Sequence, residues 1–323
     1  MVKEKFLITA LIIFSINISV YSQNKVGTTS FQFLEVMTSA RGTALGDSYG
    51  PVVDNSEAVF WNPAALTNVT GMDVSLGYTQ WFFGISHYSF AGAYTIGSWG
   101  TIGLQGMYTN IGDIEVTSVD ALGFIGDNYN PGLTGQVISP YQLVAGISFA
   151  KDLTDKFAFG ITAKYAREDL IVMSKGIVCF DGGFTFNTGY RSVRIAASIR
   201  NFGPQIKYVN TSYPLPQTFN IGISGYLFSP DDALLMNIPN QSLLFTFDLT
   251  QPRDYNQQNS MGIEYSFDDL VYLRGGYKFN GDQEGLTAGV GLKYNKYRVD
   301  YSYSNYGAYL GNVHRFTVGF DLK

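Results

Sequence analysis

The sequence predicts an all-β chain: an antiparallel outer-membrane β-barrel of about 14 strands with an N-terminal plug segment. Three observations predict it. An export signal opens the chain, apolar and polar side chains alternate through to its end, and short connections alternate with long ones.

Lys3 and Lys5 form a short basic stretch, and the apolar run Phe6 to Val20 follows. Val20 and Ser22 are small enough for the minus-three and minus-one pockets of a signal peptidase. Residues 1–22 are therefore expected to be a signal peptide cleaved before Gln23. No cysteine sits at the cleavage point, which excludes a lipoprotein. The run is also short of the ~20 residues that a retained spanning helix needs.

Composition narrows the class. The chain of 323 residues carries net charge −5, 23 Tyr, 24 Phe and 36 Gly. Charged residues are only 15%, against roughly 25% in ordinary soluble proteins. Few charges and many aromatics suit a barrel whose outer face meets lipid. The acidic balance argues against a nucleic-acid partner. One cysteine, Cys179, leaves no intrachain disulfide framework despite export.

Period-two alternation places the strands. His314, Phe316, Val318, Phe320 and Leu322 alternate with Arg315, Thr317, Gly319 and Asp321. Tyr297, Val299, Tyr301 and Tyr303 alternate likewise with Arg298, Asp300 and Ser302. Leu273, Tyr277 and Phe279 share one parity in 271–279, and Arg274 and Lys278 the other. Successive strand side chains point to opposite faces, so every such segment has an apolar and a polar wall. Fourteen candidates follow: 72–79, 85–96, 99–110, 140–150, 156–167, 176–187, 191–201, 217–228, 241–250, 258–267, 269–279, 285–294, 296–303 and 312–322.

Connection lengths favour a barrel over a soluble sandwich, which would also wet one face only. Tight turns at 97–98, 151–155, 188–190, 268 and 295 alternate with long connections at 111–139, 201–216, 251–257 and 304–311. Long loops belong outside the cell and short turns in the periplasm. Ser229 to Asn240 is the exception, too long for a periplasmic turn. An even strand count puts both termini in the periplasm. The polar parity, with Arg274, Lys278, Lys293, Arg298, Asp300 and Arg315, lines the lumen, where its charges are expected to pair across strands.

Residues 23–70 read differently from the barrel, 71–323. Ser39 to Gly46 is rich in small residues and lacks strand periodicity, and Asn62-Pro63 is a helix-start pair before Ala64. Gly42, Gly46 and Gly50 permit turns and close approach. A stretch this short cannot bury a core of its own. It is expected to plug the lumen, with Arg41, Gly42, Gly46, Trp61, Asn62 and Pro63 as its characteristic residues.

The order Phe33-Leu34-Glu35, Ala40-Arg41-Gly42, Gly46-Asp47 and then AVFWNPAAL from Ala58 to Leu66 resembles the PorV/PorQ family of outer-membrane proteins. Further matching stretches are Arg200 to Pro204, Gly262 to Ser266, Leu273 to Phe279 and Gly311 to Phe316. The resemblance covers almost the whole mature chain. It implies a barrel of about 14 strands, similar in fold to the FadL transporters and plugged by its N-terminal segment. It also implies a type IX secretion role, binding cargo or translocon proteins at the extracellular face.

Enzyme chemistry is not expected. His87 and His314 are the only histidines, and neither a G-x-S-x-G elbow nor a zinc-spaced set occurs. Cys179 sits among Ile177, Val178 and Phe180 and reads as packing. No cofactor or metal is expected. The long connections carry apolar candidates for partner contact: Phe124, Ile125, Tyr129 and Leu133 in one, Tyr208 and Tyr213 in the other. The leading expectation is thus a docking protein in the lipid of the outer membrane. The alternative is a FadL-like transporter of hydrophobic small molecules.

Overall fold

The computed structural model describes residues 26–171, 173–280 and 285–322, so the expected signal peptide and its cleavage point lie outside it. Fourteen long strands form the wall. The first seven are β1 (Met72–Gln80), β2 (Ser86–Ile96), β3 (Gly100–Asn110), β4 (Tyr141–Thr154), β5 (Phe157–Asp169), β6 (Ser174–Asn187) and β7 (Arg194–Phe202). The rest are β8 (Thr218–Ser229), β9 (Gln241–Pro252), β10 (Gln258–Phe267), β11 (Val271–Phe279), β12 (Leu286–Tyr294), β13 (Tyr297–Asn305) and β14 (Asn312–Leu322). Each pairs antiparallel with its neighbour in sequence, and β1 closes on β14 with Met72 opposite Leu322. The barrel is closed and has no free edge along its wall.

All fourteen candidate segments are strands, because the alternation that defines them is the alternation the wall uses. Leu76, Leu273 and Val299 point outward, whereas Asp73, Arg274 and Asp300 are buried inside. Aromatic rings band the outer face near its ends. Tyr88, Tyr108 and Tyr141 follow one another around the upper rim with centroids 6.4 and 6.0 Å apart. Phe149 and Phe159, Phe157 and Phe184, and Tyr297 and Phe320 do so around the lower rim. Amphipathic and bulky aromatic rings favour the membrane–water interface.

The long connections hold surprises. Residues 111–139 form a hairpin rather than a loop: among the described residues Ile114–Ile125 pairs with Asn128–Ile138 alone, across a turn at Gly126-Asp127. Alternating apolar residues such as Val116, Leu122 and Phe124 are strand-competent here too. The stretch after β8 is long because it doubles as wall. Its Met236–Asn237 runs parallel to Phe228–Ser229, and the Leu234 and Leu235 N–H groups donate to the Tyr226 and Leu227 carbonyls at 2.8 and 3.1 Å. It covers the edge of β8 beyond the point where β7 begins.

The hydrophobic core of the molecule is the N-terminal segment inside the barrel. One cluster joins Leu45, Tyr49, Val59, Trp61 and Leu66 to the inward Ala91, Ala93, Ala150 and Leu244. A second, at the long-loop end, joins Phe31 and Phe33 to Ile177, Cys179, Ile206 and Leu215. The expected position of both termini in the periplasm falls outside the described residues for the N-terminus, since the described chain starts at Val26. β1 starts and β14 ends at the short-turn end, but the described chain begins at the opposite mouth. There the Ser30 N–H donates to the Pro214 carbonyl at 2.9 Å, and Thr29 and Gln32 reach Asp254. The segment therefore runs the length of the lumen before β1 begins. The parity of the strands fixes only where the barrel starts, not the path of what precedes it.

Candidate functional site

Two short helices tie the segment to the wall. In the first, Ala40–Ala44, the Ser39 side chain caps by accepting from the Gly42 N–H at 3.1 Å. The Thr43 hydroxyl then meets Ser302 at 2.8 Å, and the Ala44 carbonyl accepts from Thr287 at 3.0 Å. In the second, the 3-10 turn Pro63–Asn68, Asn62 accepts from the Ala64 N–H at 3.1 Å, with Pro63 in the first position. The amide of Asn62 also donates to the Phe184 carbonyl of β6 at 3.0 Å. Wall glycines admit both. A Cβ at Gly160 would lie 2.3 Å from the Pro63 carbonyl carbon, and one at Gly276 would lie 2.2 Å from the Gly46 nitrogen.

Charged wall residues are engaged rather than lining an open bore. Arg41 of the segment grips Glu264 through Nε at 2.9 Å and Nη2 at 2.8 Å, and Asp54 through Nη1 at 2.7 Å. Arg274 pairs with the same Glu264 and with Asp300, both at 2.5 Å. Arg298 grips Asp73 at 2.6 and 2.8 Å, while Asp73 also accepts from the Ser56 N–H. Lys278 pairs with Asp47, and Arg315 donates to the Met37 carbonyl at 2.9 Å with its guanidinium 5.3 Å from the Trp81 ring. Lys293 lines a polar cavity of about 360 Å³ at the periplasmic end, with Arg41, Asp54 and Asp300.

The mouth is different. Between the segment and the extracellular end of β8–β11 lies a cavity of about 680 Å³. One side is apolar, formed by Met37, Trp61, Phe82, Tyr306 and Leu310. The other is polar and belongs to the strands: Asn220, Thr250, Gln258 and Ser260. Glu35, Asp47, Asp254, Arg200 and Lys278 are the charges on its lining. Burial, reinforced by the Asp254 charge, pushes the Glu35 carboxyl up to about 7, against the pull of Arg200 and a hydrogen bond from Thr218. Arg200 donates to the Phe60 carbonyl at 3.3 Å and the Met37 sulfur at 3.1 Å, and its guanidinium lies 6.0 Å from the Trp61 ring.

This geometry has structural counterparts. A monoaromatic hydrocarbon channel, CymD, superposes with TM-score 0.55 at 12% identity, covering 88% of this chain and 97% of its own. A FadL homologue of Pseudomonas aeruginosa gives 0.56 at 10% identity over 89% and 99%, and the toluene transporter TodX of Pseudomonas putida 0.52 at 11% over 85% and 95%. The chain has the fold of the FadL-type outer-membrane channels. No protein-family model and no curated protein matches the sequence. The PorV/PorQ resemblance accordingly rests on the quoted motifs alone.

Of the residues singled out from sequence, Arg41, Gly42, Gly46, Trp61, Asn62 and Pro63 lie inside the barrel, Gly42 beneath the Trp61 ring and Gly46 with φ 68°. Phe124, Ile125 and Tyr129 sit exposed at the tip of the hairpin, with Leu133 on its second strand. Tyr208 is no free contact residue: it is partly buried, donates to Glu168 at 2.7 Å and packs on the cluster around Leu215. Its loop folds onto Phe31 and Phe33, which the sequence gives no means of foreseeing. Sequence reading also missed the mouth cavity. Thr250, Gln258 and Ser260 are unremarkable polar positions until the segment leaves a space before them.

Proposed function

We propose that the protein is an outer-membrane channel that takes hydrophobic small molecules from outside the cell through the mouth cavity, with the N-terminal segment as its plug. The cavity carries this reading. Its volume of about 680 Å³ falls within the ~300–1,000 Å³ of small-molecule sites, and its lining sets aromatic and aliphatic bodies on one side against polar groups on the other. The likeness to a hydrocarbon channel and a toluene transporter supports it at the level of fold. The charges of Glu264, Arg274, Asp300, Arg298 and Asp73 do not oppose it, since the segment and neighbouring strands pair them away from the cavity.

A second reading is protein docking at the extracellular face, the role implied by the PorV/PorQ resemblance. The exposed hairpin tip with Phe124, Ile125 and Tyr129 favours it, because contiguous exposed apolar residues mark contact surfaces. One experiment separates the two. Residues 121–138 are replaced by a Gly/Ser linker, and cells are assayed for uptake of a fluorescent naphthalene derivative and for co-purifying or secreted proteins. Channel function leaves uptake intact without the tip. Normal uptake combined with loss of secreted cargo assigns the hairpin to docking; uptake by the unaltered protein no higher than in cells lacking it removes the channel reading.

A further inference from the structure

We infer that the mouth cavity selects hydroxylated molecules over plain hydrocarbons. The inference rests on the channel reading and specifies its substrate class. Gln258 and Ser260 stand two residues apart on the inward face of β10, and Thr250 lies opposite Gln258 on β9. Ser260 is 4% exposed, yet among the described residues its hydroxyl and the Gln258 amide have no protein hydrogen-bond partner. Thr250 accepts from Asn220 at 2.7 Å and keeps its own proton to donate. Polar groups that face a cavity with no protein partner leave their hydrogen bonds to water or a ligand. Here they converge on one wall of a cavity whose opposite wall is Trp61, Phe82 and Met37. A plain hydrocarbon fills the apolar side and displaces whatever water satisfies the polar one, without replacing its hydrogen bonds. A molecule with an apolar ring and a hydroxyl satisfies both.

The test uses the full chain in lipid nanodiscs and two probes with one ring system: naphthalenemethanol and methylnaphthalene. Binding is read from naphthyl fluorescence after subtraction of empty nanodiscs. The alcohol is expected to bind about tenfold tighter than methylnaphthalene, the worth of one net hydrogen bond. In Gln258→Leu/Ser260→Ala this preference should disappear. Methylnaphthalene binding as tightly as the alcohol overturns the inference and leaves the channel reading standing. An alcohol preference that survives the double substitution overturns the assignment to β10. Binding of neither probe removes the channel reading itself.

Discussion

Arg274 and Leu273 are adjacent in the chain and meet opposite environments. Leu273 is 53% exposed on the outer wall, and Arg274 is 8% exposed inside, between Glu264 and Asp300. Leu273→Arg places a charge against lipid at a cost of ~2–4 kcal/mol near the midplane. It should lower the inserted fraction in liposomes, read by gel mobility. Alternation alone makes Arg274→Leu harmless to the barrel, since it adds no charge to the lipid face. The structure gives that change a different cost. It leaves Asp300 without a cation among its described neighbours and Glu264 with Arg41 alone, worth ~3–5 kcal/mol for a broken buried pair. Arg274→Leu should therefore insert normally and melt at a lower temperature, and Asp300→Leu added to it should recover part of the loss. Equal insertion yields for Leu273→Arg and Arg274→Leu would contradict the strand register.

The segment from Ser30 to Val69 is the element on which the interior depends. It supplies Leu45, Tyr49, Trp61 and Leu66 to the core and Arg41 and Asp47 to ion pairs with the wall. Fourteen strands enclose more room than an eight-stranded barrel, which side chains alone can fill. Removal of residues 24–68 should therefore raise single-channel conductance sharply in planar bilayers. Gly160→Val is the gentler version, because its added carbons collide with the Pro63 backbone. It should give an intermediate conductance with the chain intact. Porin-like conductance from the unaltered protein would rule out a plug.

The strands were legible because burial on one face forces period-two alternation, and each lipid-facing residue records its orientation in its own chemistry. The Asn62-Pro63 start was legible for a similar reason, as a local capping rule. The hairpin, the strand-like course of Leu234 to Asn237 and the cover over Leu215 were not. Each depends on which distant segment arrives at a face, and no local pattern carries that information. The mouth cavity was least legible of all, since it is a space left between the segment and β8–β11 rather than a run of residues.

Taken as a whole, the molecule is polarised along the barrel axis. The extracellular end holds the acidic hairpin and a half-apolar cavity. The lumen is crossed by the segment, and the periplasmic end holds a smaller cavity ringed by Arg41, Arg298, Asp54 and Asp300. An apolar solute is thus favoured at the mouth and disfavoured at the far end, so the proposed uptake begins in the mouth cavity. The most direct measurement is uptake of naphthalenemethanol by cells carrying either the natural chain or Thr250→Trp, which fills the cavity from its wall without touching the lipid face. Barrel assembly is checked in both by heat-modifiable gel mobility. The expected result is that Thr250→Trp assembles normally and takes up no more probe than cells lacking the protein. Undiminished uptake with the tryptophan in place would contradict the assignment of this cavity as the route.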